Sequence, residues 1–140
     1  MHADTLVSPN MAGFHLTAFS PDGREVVGGV DYLARIPKTG GEWTRLEAPP
    51  SVDPLLWARD WWIYFGRLLW GRAGEGEPVG FREIWRTRTD AKRAELYTRL
   101  PELCSWWEIS LSADARRLVC TVSRAEPDIW IAEHFDPDER

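Results

Sequence analysis

Residues 14–30, FHLTAFSPDGREVVGGV, and residues 106–122, WWEISLSADARRLVCTV, align without a gap. Ser20 and Ser112, Asp22 and Asp114, and Val27 and Val119 each stand 92 residues apart, twice 46, which leaves room for one further copy between them. A period of about 40 to 50 residues, with a strand-turn-strand unit in every copy, is the sequence signature of β-propeller blades. Short apolar runs rich in Val, Ile, Trp and Tyr are punctuated by Pro, Gly and Asp. No long window keeps a helical period, so the expected class is all-β.

In the first copy, strands are expected at 15–19, 24–29, 32–36 and 42–46. The first two are joined by Ser20-Pro21-Asp22-Gly23, where Pro presets φ, Asp bonds nearby amides and Gly accepts the left-handed conformation. The third copy repeats this at 107–111, 117–122 and 128–133 around Ser112-Ala113-Asp114-Ala115. There Ala115 replaces the turn glycine, implying either strain or a different turn. A degenerate middle copy is read at 55–58, 61–69, 84–89 and 96–100, with a short turn at Arg59-Asp60. Thr98-Arg99-Leu100 echoes Thr44-Arg45-Leu46, and Ile129-Trp130 echoes Ile84-Trp85.

The expected architecture is a partial β-propeller of about three four-stranded antiparallel blades, at 14–46, 55–100 and 106–135 of a single domain spanning 1–140. A strand at 4–7 is available to complete a blade and remove an open edge. Three blades fall short of the usual four to eight. A blade face of roughly 600 Å² left wet forfeits up to about 15 kcal/mol. The chain is therefore expected to join further blades or a second copy, as a homodimer.

FSPDGREVV, SLSADARRLVCTV and PDIWIAE, with EIWRTRTD and LYTRL in the middle, resemble the repeats of TolB-like (WD-type) β-propellers. Their pattern is an inner strand, S-P-D-G, a second strand, then D-I-W-x-x-D. Glu133 stands where that pattern has its second Asp. The resemblance implies a bacterial repeat protein serving protein binding or scaffolding, not an enzyme. It also implies an alternative, a substrate-gating propeller segment of a prolyl-oligopeptidase-like serine peptidase system. A truncated remnant without independent function is the third reading. No catalytic residue carries over, because the repeat motifs are structural.

The formal charge of −5 argues against a surface built for phosphate backbones, so no nucleic-acid partner is expected. No signal-like start and no stretch of membrane-spanning length is present, which predicts a cytoplasmic protein without membrane insertion. Cys104 and Cys120 have no metal-site spacing and are read as free, inert thiols. Neither a metal nor a cofactor is expected: His2, His15 and His134 form no ligand motif, and G-x-S-x-G is missing. Nine tryptophans are mostly assigned to packing between blades, while Trp57 and Trp70, beside loops, are the candidates for exposed binding rings. Arg72 lies in the glycine-rich loop 71–80, expected to be a long connection able to contact a partner. Arg86 and Arg88 are the remaining binding candidates, placed by alternation on one strand face opposite Trp85 and neutralised by Glu83, Asp90 and Glu95.

Overall fold

The computed structural model describes residues 15–29, 31–70, 78–122 and 128–133. They form strands β1 (His15–Phe19), β2 (Glu25–Gly29), β3 (Leu33–Pro37), β4 (Thr44–Arg45), β5 (Val52–Trp57), β6 (Ile63–Trp70), β7 (Pro78–Thr87), β8 (Glu95–Leu111), β9 (Arg117–Val122) and β10 (Asp128–Glu133). All pairings are antiparallel, giving one sheet β1-β2-β3-β4 and a second β10-β9-β8-β7-β6-β5. None of the described residues is helical, and no helix is long and apolar enough to cross a membrane. The strand expected at 4–7 lies outside the described residues.

Strand alternation sorts the core into two layers. On β6, Ile63 and Phe65 turn one way and, with Val52 and Trp57, pack against Val27, Leu33 and Leu46 of the first sheet. Tyr64 turns the other way and joins Ala58, Ile84, Tyr97 and Leu100 against Leu118, Cys120 and Val122. The strands β5 to β7 are thus apolar on both faces, packing on the first sheet on one side and on the β8–β9 part of their own sheet on the other. Trp57 belongs to the first layer, only 4% exposed, with its indole N–H buried and without an acceptor. This corrects the expectation that it offers an exposed ring: Trp57 stands an odd five residues from the core position Val52, which simple alternation would put on the other face, but a bulge at Pro54/Leu56 shifts the register and turns Trp57 inward.

A second difference concerns β8. Separate strands at 96–100 and 107–111 are expected from the repeat, yet residues 101–106 stay extended and one strand runs through both. Its beginning pairs with β7 (Trp85 opposite Leu96) and its end with β9 (Leu111 opposite Leu118). Cys104 marks the changeover, being opposite both Phe81 and Val122. Here Gly80 of β7, at φ +147°, comes so close that a Cβ would collide with the Cys104 carbonyl.

The expectation of free thiols is overturned at the same point. Cys104 and Cys120 are joined as a disulfide, Cα atoms 5.6 Å apart, and both are fully buried in the second layer. A loop at Cys104 would not have fixed this approach; the extended strand does, by placing Cys104 opposite Val122 of β9, two residues from Cys120.

Candidate binding site at the turn end of the sheets

Three hairpin turns share one construction. The amide of Gly23 donates to the Ser20 carbonyl at 2.8 Å, that of Trp61 to Ala58 at 2.9 Å, and that of Ala115 to Ser112 at 2.8 Å. The preceding aspartate then accepts from the amide two residues on: Asp22 from Arg24 at 3.1 Å, Asp60 from Trp62 at 3.2 Å and Asp114 from Arg116 at 3.1 Å. Gly23, Trp61 and Ala115 hold the same left-handed φ, 69°, 71° and 58°. The Ala115 turn is therefore the glycine turn with strain accepted, worth roughly 1–2 kcal/mol for a residue with a Cβ.

The middle turn is one residue shorter. Ser20 and Ser112 close their hairpins by donating to the carbonyls of Glu25 and Arg117, five residues on, whereas Ala58 donates to Trp62, four on. Ser20 and Ser112 also donate their hydroxyls to Asp22 and Asp114, each at 2.6 Å. Those hydroxyls, followed by the backbone amides of Arg24 and Arg116, hold both carboxyls below their ordinary pKa. Ser20, Asp22, Gly23, Ser112 and Asp114 all lie in these two turns.

Tyr97, early in β8, reaches the turn that follows the end of that strand, with the hydroxyl 3.5 Å from the Ala115 carbonyl. The turns 58–60 and 112–114 consequently face each other across a cleft of about 550 Å³ lined by Ala58, Arg59, Asp60, Ser112, Ala113 and Asp114. Trp62, half-buried against the second layer, carries two guanidinium groups on its ring, Arg86 at 4.4 Å and Arg88 at 5.4 Å. Arg86 also lies 5.0 Å over Tyr97 and pairs with Glu95 at 2.6 Å. Burial opposes its charge, but hydrogen bonding to Glu95 and Tyr64 outweighs that and raises its pKa. Arg86 is thus an anchored cation. Arg88, more exposed and 4.0 Å from an exposed Asp90, is free to exchange partners.

Of the residues singled out in the sequence, Arg86 and Arg88 meet at this place, on the face opposite Trp85, which packs on the first layer. Trp57 is in the core. The Trp70 backbone ends β6, far along the strand from the turn, and Arg72 lies outside the described residues. Sequence reading missed Arg59 and Trp62. Their signal was Asp60 itself, which occupies the aspartate position of the repeat turn 38 residues after Asp22 and 54 before Asp114. Among the described residues no group of three or more His, Cys, Asp or Glu side chains converges as a metal site.

The structure of a putative TolB from Agrobacterium tumefaciens is similar, with a TM-score of 0.62 and 19% identity over 91% of this chain and 48% of that one. The crystal structure of TolB from Acinetobacter baumannii matches with a TM-score of 0.55 and 15% identity over 84% of this chain and 29% of that one. This chain thus spans at most about half the length of either. No protein-family model and no characterised protein matches its sequence. At such identities the likeness is one of fold: an all-β, TolB-like propeller in partial form.

Proposed function

Starting from a TolB-like β-propeller fold, we propose that this chain is a non-enzymatic module for protein–protein interaction or scaffolding, and that it takes an extended segment of its partner at the turn end. The observation that carries this reading is the cleft between the turns 58–60 and 112–114, flanked by the Trp62–arginine stack. A cleft lined by Arg59, near a ring that carries the exchangeable cation Arg88, suits a peptide whose carboxylates answer the guanidiniums. The carboxylates of Asp60 and Asp114 are each held by a turn amide, which leaves the arginines as the mobile charges of the rim.

Panning a displayed random-peptide library on the immobilised chain tests this. Enrichment of acidic sequences on the wild type, lost on an Arg59→Glu/Arg88→Glu variant of unchanged melting temperature, is the expected result. Equal enrichment on both proteins, or none on either, overturns it.

A further inference from the structure

The two lips of the cleft project beyond the sheet. The last ladder pairs are Trp57 opposite Ile63 for β5 and β6 and Leu111 opposite Leu118 for β8 and β9, so the turns 58–62 and 112–117 lie past them. Each turn is bonded to itself, Ala58 to Trp62 and Ser112 to Arg117, and among the described residues no backbone hydrogen bond joins one turn to the other. Side chains must therefore set the distance between the tips.

One row of side chains crosses from turn to turn. Tyr64 of β6, Arg86 of β7 and Glu95 of β8 stand opposite one another in register, and Tyr97 follows Glu95 by two residues on the same face. The Arg86 guanidinium pairs with Glu95 at 2.6 Å and lies 4.4 Å over Trp62 and 5.0 Å over Tyr97. Tyr97 also meets Tyr64 edge to face at 5.0 Å. Each end of this row is a residue that closes a turn. The Trp62 carbonyl accepts from Ala58, while Ala115, whose carbonyl faces the Tyr97 hydroxyl, donates its amide to Ser112. Ala115 is 1% exposed and belongs to the same buried cluster as Tyr97, so glycine in its place would relieve strain but take apolar surface out of that cluster.

We infer that Arg86 is a positioning residue of the turn-end site: its guanidinium, lying on Trp62 and Tyr97 together, ties the middle turn to the third and sets the separation of Arg59 from Ala113. The guest meets Arg59 and Arg88, not Arg86. A guanidinium suits this task because it offers a flat face to the rings while its edge donates to a carboxylate, whereas a lysine ammonium is a point charge. Arg86 is also enclosed, its side chain 17% exposed against 45% for Arg88, and Arg88 meets the Trp62 ring but no second ring among the described residues. The use made of the cleft rests on the peptide reading above; the tie does not, and it is tested without a guest.

Double electron–electron resonance on the full chain, with nitroxide labels at Arg59→Cys and Ala113→Cys, reads the separation. Both positions are exposed, and Cys104 and Cys120 are joined and buried, so the labels go where they are aimed. With Arg86 in place a single narrow distance is expected. Arg86→Gln is expected to widen the distribution about twofold or more, because a tip released from a packed tie samples more than one position. Arg86→Lys, which keeps the charge and decides the matter should Arg86→Gln not fold, is expected to widen it too. Tyr97→Leu removes the other half of the same tie, so combining it with Arg86→Gln should widen the distribution no further. Arg88→Gln is expected to leave it narrow. A residue that only stabilised the fold would lower the melting temperature and leave the distance below the transition unchanged. That result for Arg86→Gln or Arg86→Lys would overturn the inference, as would a broad distribution with Arg86 in place, an equal widening by Arg88→Gln, or additive widening in the double variant.

Discussion

Reducing the Cys104–Cys120 bond isolates the contribution of one cross-link without changing a side chain. The bond closes a segment with a sequence separation of 16 and joins two strands at the changeover of β8. Loop-closure entropy for about 16 residues is worth about 3 kcal/mol at 25 °C. At about 2.1 cal/mol/K per residue, a chain of this length has an unfolding entropy near 0.3 kcal/mol/K, so the loss corresponds to a fall of about 10 °C in melting temperature. Because both sulfurs are buried, a reductant reaches them only through the unfolded state. The assay is therefore thermal melting after refolding from denaturant, once with and once without a phosphine reductant, alongside thiol titration of the unreduced protein in denaturant. Two free thiols in that titration, or melting temperatures agreeing within about 2 °C, would refute the reasoning. Such bonds persist in oxidising compartments, so titrating protein taken directly from its host also tests the cytoplasmic location expected from the sequence.

Gly80→Ala is expected to destabilise by at least about 2 kcal/mol, because the new methyl meets the Cys104 backbone at a φ that side chains rarely adopt; a urea midpoint unchanged from wild type would contradict this. The lowered carboxyls of Asp22 and Asp114 make stability depend on pH in a definite direction. With folded pKa values below the unfolded ones, their contribution is complete above about pH 4 and is lost as pH falls through the folded values. Urea midpoints measured between neutral and acid pH should fall less steeply for Ser112→Ala than for wild type, and an equal slope would remove the hydroxyl from this role.

The outer copies were legible because they repeat each other: β1, β9 and β10 fall on the residues read from the alignment. Of the three carboxylates expected to neutralise Arg86 and Arg88, Glu95 and Asp90 do so, while Glu83 pairs with Arg67 and Arg99 instead. The middle turn was read at Arg59-Asp60, where it lies, but not as a copy of the outer two. An even spacing of 46 assumes equal copies, whereas Ala58 lies 38 residues after Ser20 and 54 before Ser112, and Trp61 fills the position where a glycine would have announced the turn. Trp61 gains some return for that strain by meeting Trp57 edge to face at 6.3 Å. The disulfide and the inward turn of Trp57 were not legible for a common reason. Both depend on which strand lies beside which and in what register, and a one-residue bulge changes that without leaving a mark in composition.

The single strand β8 governs how the cleft can work. Since one uninterrupted backbone is laced to β7 at its start and to β9 at its end, with a covalent tie at the changeover, the two walls of the cleft share a frame and have no hinge between them. A guest meets an aperture of constant width. Selection then falls to the rotamers of Arg59 and Arg88, and association should proceed in one kinetic phase, without the slow step that a closing jaw would add.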